Sequence, residues 1–371
     1  MSDTARQRLL SLDVLRGLTV VGMILVNSMA GMKYGAKAEV FPLLLHAEWN
    51  GLTLADLVFP GFLMMVGVSI PLALAAARER GGGGETGAIL ARAGRLVLLG
   101  FLLSNLYWFA DLSSGEWRLF GVLQRIGLVY AACALLFLAC GPKVRLGILA
   151  AILVLYWPLA LIPALDRLPN DIWLRGHNFV GSVDRVLLGD HNYVKGPAGY
   201  DPEGLLGTLP AIAHGLIGVA IGEVLLRRPA GAARKLALAG AAMLAIGVAW
   251  GFVFPVIKDI WSSPFVLVTS GITTLALAGL HAWLDRDGER APPTRWFVLF
   301  ATAFGINAIA AYTLHELSAG VPTWQILLVP FQALRGPLGD AVAAFVPVLL
   351  YIALIWLCVD YLRRRGWIVR I

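Results

Sequence analysis

The chain has 371 residues, of which 58% are hydrophobic and only 14% are charged. Its apolar stretches are too long and too frequent for the core of a soluble protein, so the composition predicts a multi-spanning membrane protein. The net charge of +7 does not require a nucleic-acid partner, because Lys and Arg residues between membrane spans account for most of it.

Ten stretches of about twenty mainly apolar residues predict an all-α bundle of about ten transmembrane helices. We expect one transmembrane domain over residues 1–371, with the first span retained and not cleaved as a signal peptide. No convincing internal repeat is present. The predicted spans cover residues 10–30, 54–77, 88–109, 119–141, 144–164, 204–227, 233–255, 262–284, 295–317 and 338–362.

Lys and Arg residues divide unevenly between the two sets of connections, which predicts that both termini are cytoplasmic because cationic loops resist translocation. With a cytoplasmic N-terminus, the inner segments hold 19 of these residues and the outer segments hold nine. The inner set is Arg6, Arg8, Arg78, Arg80, Arg92, Arg95, Lys143, Arg145, Arg227, Arg228, Arg234, Lys235, Arg286, Arg290, Arg295, Arg363, Arg364, Arg365 and Arg370.

Charged residues inside spans are informative, because charge in a membrane is costly and usually faces a cavity or the bundle interior. Arg125 lies about 9 Å from the outer end of the fourth span, at 1.5 Å per residue, and should face the interior. Asp13 and Arg16 share one face near the inner end of the first span. Either they form a local ion pair, or Arg16 meets an anionic ligand from the cytoplasm.

Polar residues also collect near the outer ends of several spans and predict a polar chamber in the outer half of the bundle. Each has a simpler interpretation: an Asn can cap a helix, Asp56 can favour a helix N-terminus, and Trp49 can anchor at the interface. The candidates are Asn27, His46, Glu48, Trp49, Asn50, Asp56, Asn105, Gln124, Arg125, Glu203, Asn307, Tyr312, His315 and Glu316.

The segment HAEWNGLTLADLVFPGF, residues 46–62, concentrates polar side chains at the start of the second span. Imidazole exchanges protons near neutral pH, so His46 could act as a general base. Asn27 or Asn50 could donate hydrogen bonds to an oxyanion. No HxxxH, HExxH or CxxC pattern supports a metal site, and the cysteines at 133, 140 and 358 are interpreted as packing residues.

The predicted outer connection over residues 165–203 is long enough to suggest a functional extracytoplasmic loop. A solvated connector with ordinary polar content is the competing interpretation for each of its residues. Its polar residues include Trp173, His177, Asp184, Asp190, His191, Lys195, Asp201 and Glu203.

The chain resembles the transmembrane acyltransferases typified by heparan-α-glucosaminide N-acetyltransferase and its bacterial relatives. The resemblance spans most of the predicted bundle. It rests on SLDVLRGLTVVGMILVN (11–27), HAEWNGLTLADLVFPGF (46–62), FGVLQRIGLVY (120–130), DPEGLLGTLPAI (201–212) and FGINAIAAYTLHE (304–316).

This resemblance implies transfer of an acetyl group from cytoplasmic acetyl-CoA to an amino sugar or glycan across a bacterial inner membrane. The family's active-site histidine corresponds to His46, and the asparagine of its first span corresponds to Asn27. Arg16 becomes a candidate for contact with CoA, and no metal is implied. Candidates for acceptor binding are Glu48, Trp49, Asp56, Asn105, Arg125, Glu203, Asn307, His315 and Glu316.

Other interpretations remain open. A homodimer is reasonable, because small residues are abundant in the spans, and membrane lipid is an expected partner. Ten spans with a central polar chamber would also suit a permease for a small sugar. A structural or lipid-handling membrane protein is the third alternative. Direct transfer with His46 as base is favoured over a route through an acetyl-histidine intermediate.

Overall fold

A computed structural model of the protein describes residues 9–227, 231–285, 292–319, 323–369 and 371. Within these ranges the chain is helical, and β-pairing is limited to isolated bridges such as Asn50 with Ile257. The helices are α1 (Leu10–Tyr34), α2 (Ala55–Glu79), α3 (Thr86–Ser104), α4 (Leu106–Ala110), α5 (Val122–Ala139), α6 (Pro142–Ala160), α7 (Phe179–Leu188), α8 (Thr208–Arg227), α9 (Ala232–Gly251), α10 (Ser263–Leu284), α11 (Pro292–Ile306), α12 (Ala308–Ser318), α13 (Thr323–Leu338), α14 (Asp340–Ala343) and α15 (Phe345–Arg364).

The predicted membrane architecture is confirmed at the level of helices. Nine helices in the described ranges are long and apolar enough to cross a membrane, and each coincides with a predicted span. Helix α13 occupies a stretch that we had expected to be a connection. Some cationic residues used to predict orientation lie outside the described residues, namely Arg6, Arg8, Arg228, Arg286, Arg290 and Arg370.

The predicted span 295–317 is not one continuous helix. Helices α11 and α12 meet at a bend of 76°. Between them Asn307 adopts φ −112° and ψ 40°, outside the helical region. Its side-chain Oδ1 accepts a hydrogen bond from the backbone N–H of Val369 at 3.0 Å. The prediction of one straight helix was wrong because it used apolar content alone. The bend lies at a buried amide that binds another segment of the chain, and apolar content does not report such a contact.

Close backbone contacts, made possible by glycine, hold the centre of the bundle together. Helix α2 packs against α1, α5, α8 and α10. A Cβ added to Gly218 of α8 would lie 2.4 Å from the carbonyl oxygen of Met64, and one at Gly222 would lie 2.3 Å from that of Val68. Lipid gives helices little hydrophobic drive to associate, so such small-residue contacts carry much of the packing.

A second contact of this kind joins α1 to α11. A Cβ added to Gly17 would lie 1.8 Å from the carbonyl oxygen of Ala301, and one at Gly305 would lie 2.0 Å from that of Asp13. Each glycine therefore allows the two helix backbones to touch. This contact fixes α11 immediately before the bend at Asn307.

Connections at the end of the bundle where α1 ends and α2 begins, here called the outer end, fix the segment that carries His46. The N–H of Gly51 donates to the carbonyl of Val256 at 2.9 Å, beside the bridge between Asn50 and Ile257. The indole Nε1 of Trp49 donates to the carbonyl of Ile172 at 2.9 Å. Residues 46–54 are thus anchored to two other connections before α2 begins.

We expect Gly218→Ala to lower the unfolding temperature of the detergent-purified protein, because the new methyl group would meet the backbone of α2. Overpacking of this kind costs about 1–3 kcal/mol. Gly147→Ala is the matched control, since nothing lies within 4 Å of a Cβ there. Equal unfolding temperatures for the two variants, measured by intrinsic fluorescence, would contradict this account of the α2–α8 contact.

Candidate active site

A cavity of about 650 Å³ opens at the outer end of the bundle, between α1, α2, α3, α5 and α12. We call it the outer chamber. Its wall combines apolar residues of α2 and α5 with a set of polar side chains from helices and connections. The polar or charged residues that line it include Asn27, His46, Ser104, Tyr107, Arg118, Tyr193, Glu203, Lys258, Tyr312 and Glu316.

His46 and Asp56 form a hydrogen-bonded pair at the wall of this chamber. Nδ1 of His46 lies 2.8 Å from Oδ1 of Asp56. The His46 side chain is 45% exposed, whereas that of Asp56 is fully buried. With Nδ1 engaged by a carboxylate, Nε2 is the ring nitrogen available for proton exchange.

The local sequence explains how Asp56 is held. Its Oδ2 accepts hydrogen bonds from the N–H of Ala47 at 3.1 Å and from the N–H and hydroxyl of Thr53, both at 3.0 Å. It lies in the first turn of α2, where the helix dipole favours a negative charge. The connection before α2 therefore folds back over the helix start and brings His46 to the same carboxylate.

Lys258 is the cation that faces this pair. Its Nζ lies 3.9 Å from Oδ1 of Asp56, the oxygen that also contacts His46. It comes from the connection after α9, which is held in register with residues 50–51 by the contacts described above. Sequence reasoning counted Lys258 only as an outer-loop charge, because its approach to Asp56 depends on two connections that are distant in the chain.

Arg118 forms the second charged cluster of the chamber. Its Nε and Nη2 donate to the two carboxylate oxygens of Asp201 at 2.8 and 2.6 Å, and Nη2 also donates to Glu203. Burial acts to lower the pKa of Arg118, but these carboxylates raise it overall. Burial acts to raise the pKa of Glu203, but the nearby charges, first that of Arg118, lower it overall. Both groups therefore stay ionised.

Arg125 lies behind this cluster and not in the chamber wall. It is fully buried, as its depth in the span predicted. Its Nη2 donates to the carbonyl of Gly204 at 3.1 Å, and its guanidinium stacks on Trp261 at 5.0 Å. The neighbouring Asp184 accepts the N–H of Leu205, and burial raises the pKa of Asp184 to about 7. Arg125 and Asp184 thus support the turn that carries Glu203.

Helix α12 contributes a third group of polar contacts. Nε2 of His315 lies 3.3 Å from Nδ2 of Asn27, which lines the chamber. Nδ1 of His315 lies 3.2 Å from the hydroxyl of Tyr351. Glu316 faces the chamber and forms a hydrogen bond with Tyr312, one turn earlier. The motif at 304–316 therefore orients Asn27 and supplies a chamber carboxylate.

Other candidate residues lie away from the chamber wall. Glu48 is exposed, Trp49 is buried against Tyr200, and Asn50 is exposed at the bridge to Ile257. Asn105 is buried and holds the backbone of Arg118 through both its amide atoms. Asn307 contacts Val369, and Val369 lines a different cavity, described next.

A second cavity, of about 510 Å³, opens toward the other end of the bundle and is called the inner cavity. Arg16 and Arg92 provide its cationic groups. Arg16 donates to Asp13 at 3.1 Å and to Ser69 at 2.7 Å. The ion pair with Asp13 therefore forms, and Arg16 also lines the inner cavity. The guanidinium of Arg92 stacks on Tyr130 at 4.8 Å.

The two cavities approach each other along the same three helices. Phe62 of α2, Leu123 of α5 and Ile309 of α12 line the inner cavity. Phe59, Val122 and Tyr312 of those helices line the outer chamber. Three residues along a helix correspond to about 4.5 Å, so the cavities are separated by about one helical turn at α2 and α12.

Comparisons with known proteins show which family the chain resembles. Residues 8–185 match the family model described as "Heparan-alpha-glucosaminide N-acetyltransferase, catalytic". The chain is 28% identical to heparan-alpha-glucosaminide N-acetyltransferase of Homo sapiens over 417 aligned positions, covering 96% of this chain and 59% of the human protein. It is 28% identical to the protein of that name from Mus musculus, covering 85% of this chain and 54% of the mouse protein.

The chain thus spans somewhat more than half the length of these curated relatives. The matched region contains α1, α2 and the segment that joins His46 to Asp56. Residues 8–185 are therefore similar to the heparan-alpha-glucosaminide N-acetyltransferase catalytic family, and the resemblance of the chain to these acyltransferases is confirmed.

Proposed function

We propose that the protein transfers an acetyl group from cytoplasmic acetyl-CoA to an amino sugar or glycan acceptor on the extracytoplasmic side. The observation that carries this proposal is the close approach of the cation-lined inner cavity to the chamber that contains His46. A long, thin donor held at the inner end could present its thioester where the two cavities approach each other. In this proposal both termini are cytoplasmic and the membrane is a bacterial inner membrane.

In the proposed reaction His46 acts as the general base. Asp56 accepts the Nδ1–H of the neutral imidazole and leaves the Nε2 lone pair for the acceptor. The acceptor amine attacks the thioester carbonyl carbon while Nε2 takes its proton. The new C–N bond forms and the C–S bond breaks. The proton then passes from Nε2 to the departing thiolate, which yields the acetamide and free CoA thiol.

Asn27 and Lys258 are the chamber donors suited to stabilise the oxyanion of this reaction. Asn27 is oriented by His315, and Lys258 is oriented by the buried Asp56. Both line the chamber with His46. Asn50, the other donor expected from the sequence, is exposed at a bridge to Ile257, so an oxyanion role for Lys258 has stronger support.

Carboxylates and phenols of the outer chamber suit an amino sugar. Glu203 and Glu316 offer acceptors for hydroxyl and amine hydrogens, and Tyr107, Tyr193 and Tyr312 offer ring faces and hydroxyls. A few polar groups in a largely apolar wall are typical of small-molecule sites. At the inner cavity, Arg16 and Arg92 suit the phosphate groups of CoA.

Two cavities that approach each other inside the bundle would also suit a permease for a small sugar, which is the competing function. The His46–Asp56 pair favours chemistry, since a transport path needs no histidine held by a buried carboxylate. Flux of sugar into sealed vesicles without acetyl-CoA would support the permease. Acetyl transfer by detergent-solubilised protein, where no transport can occur, would support the enzyme.

We expect His46→Ala to reduce acetyl transfer from labelled acetyl-CoA to glucosamine by at least about 100-fold, the usual minimum for loss of a general base. The partly exposed side chain should make the unfolding temperature change little. His191→Ala is the control, because His191 stacks on Trp117 outside the chamber wall. Undiminished turnover by His46→Ala would remove His46 from the mechanism, whereas an inactive native protein would call for a panel of glycan acceptors.

We expect Asp56→Asn to lower kcat by at least about 100-fold with a smaller change in KM, because an amide can present N–H groups to Nδ1 and favour the wrong tautomer. Asp259→Asn is the matched control: Asp259 accepts the Tyr200 hydroxyl beside Lys258 without contacting His46. Circular dichroism should show both variants folded. A normal kcat for Asp56→Asn would contradict the positioning role of Asp56.

We expect Arg92→Gln to raise KM for acetyl-CoA about tenfold while kcat stays nearly constant, because the proposed phosphate contact acts equally before and during the reaction. Arg95→Gln is the control, since Arg95 is exposed on the same helix and donates to the carbonyl of Ala91. Steady-state kinetics with varied acetyl-CoA would measure the effect. Equal KM values for the two variants would exclude Arg92 from donor binding.

A further inference from the structure

A groove of about 220 Å³ lies between the inner ends of α6 and α8 and shares no lining residue with either cavity described above. The reaction proposed for this protein makes no use of it. The groove combines three charged residues with an apolar wall. It is lined by Pro142, Arg145, Leu146, Leu216, Ala220, Glu223, Val224 and Arg227.

The charged residues in and beside this groove carry a net positive charge. Glu223 accepts from Arg145 at 2.5 Å and from Arg78 of α2 at 3.5 Å, so two guanidinium groups share one carboxylate. Both arginines also donate to the carbonyl of Cys140 at the end of α5. They stack on Phe137 at 4.9 and 5.1 Å. These contacts hold Arg145 rigidly beside the groove before any ligand arrives.

Arg227 adds a further cation at the mouth of the groove. It lies one turn after Glu223 on α8, is exposed, and lines the groove. No ion pair joins Arg227 to another residue of the described ranges. An anion at the mouth would therefore contact Arg227, and the charge of Arg145, whose side chain is only 4% exposed, would attract it from the groove wall.

The apolar wall runs from these cations toward the membrane interior. Leu216, Ala220 and Val224 recur every four residues and so form one stripe on α8, opposite Leu146 of α6. Leu216 and Arg227 are separated by about 16 Å along the helix at 1.5 Å per residue. This order, with cations at the helix end and a long apolar stripe behind them, matches a phospholipid with its phosphate at the interface and one acyl chain in the groove.

We propose that this groove binds an anionic glycerophospholipid, with its phosphate at Arg227, near the buried charge of Arg145, and one acyl chain along Leu216, Ala220 and Val224. The excess positive charge favours a lipid with net negative charge over a zwitterionic one. A soluble phosphate compound would leave the apolar stripe uncovered. In the predicted topology this groove faces the cytoplasmic leaflet, whose surface is negative because it contains anionic lipid.

The lipid has a definite structural role in this proposal. Only 22% of the most apolar stretch of α6 is buried within the protein, compared with 67% of the corresponding stretch of α8. A molecule that contacts both helices would add packing surface where the protein itself supplies little. Because a ligand that binds only the folded state stabilises it, anionic lipid should raise the unfolding temperature.

The test is native mass spectrometry and thermal unfolding of delipidated protein titrated with phosphatidylglycerol, phosphatidylethanolamine or glycerol 3-phosphate. We expect phosphatidylglycerol alone to bind and to raise the unfolding temperature. Arg227→Gln should weaken its binding about tenfold, whereas Arg95→Gln, which removes an exposed inner charge elsewhere, should not. Ala220→Phe, which fills the groove, should remove the binding while the protein still unfolds cooperatively.

Three results would overturn the proposal. Equal binding of phosphatidylethanolamine would exclude recognition of net charge. Equal binding of glycerol 3-phosphate would indicate a soluble phosphate ligand. Unchanged phosphatidylglycerol binding in both Arg227→Gln and Ala220→Phe would locate the lipid elsewhere on the protein. None of these results depends on acetyltransferase activity, so the proposed function and the lipid site can fail separately.

Discussion

The buried carboxylate of Asp56 is the constraint on which the outer half of the molecule depends. Burying a charge without partners is costly, and Asp56 meets that cost with hydrogen bonds from Ala47, Thr53 and His46 and with the charge of Lys258. Its partners come from the connection before α2 and the connection after α9. One carboxylate thus joins two distant connections, fixes the imidazole of His46 at Nδ1, and sets a cation beside it. The contacts that stabilise the buried charge of Asp56 are therefore the same contacts that position His46 for the proposed proton transfer.

Hydropathy and charge were sufficient to predict the helical architecture. Each span must satisfy its own backbone hydrogen bonds in lipid, so each can be predicted separately. About twenty apolar residues must become a helix in a membrane whatever their neighbours are, so the nine long helices follow from local composition. The bend at Asn307 could not be predicted this way. It depends on a contact with Val369, which lies about sixty residues later in the chain. The close α2–α8 contact likewise involves glycines whose importance becomes visible only when the partner backbone is known.

The candidate site was predictable where one short segment holds its parts. His46 and Asp56 lie ten residues apart and form a direct pair. Asn27, Glu203 and Glu316 lie far apart in the chain, but their predicted depth placed them in one layer, and they line the same chamber. Arg118 and Lys258 were missed because their partners, Asp201 and Asp56, lie far from them in the sequence. Other polar residues at the depth of the chamber do not line it and contact other parts of the bundle. Asn105 holds the backbone of Arg118 and Trp49 donates to Ile172, so depth in the membrane identifies a layer of the bundle but not the side chains that face its cavity.

The broken helix explains how one span can serve both cavities. Irregular backbone at membrane depth is tolerated where it is buried in protein or lines a cavity, and the fully buried Asn307 satisfies this condition. Before and just after the bend, Gly305, Ile306, Ala308 and Ile309 line the inner cavity, whereas Tyr312 and Glu316 line the outer chamber. The wall between the cavities therefore includes the turn at which the helix changes direction. If acetyl transfer occurs where the cavities approach each other, as we propose, this turn separates a donor site that contains Arg16 and Arg92 from an acceptor site in which Glu203 and Glu316 lie beside Arg118 and Lys258.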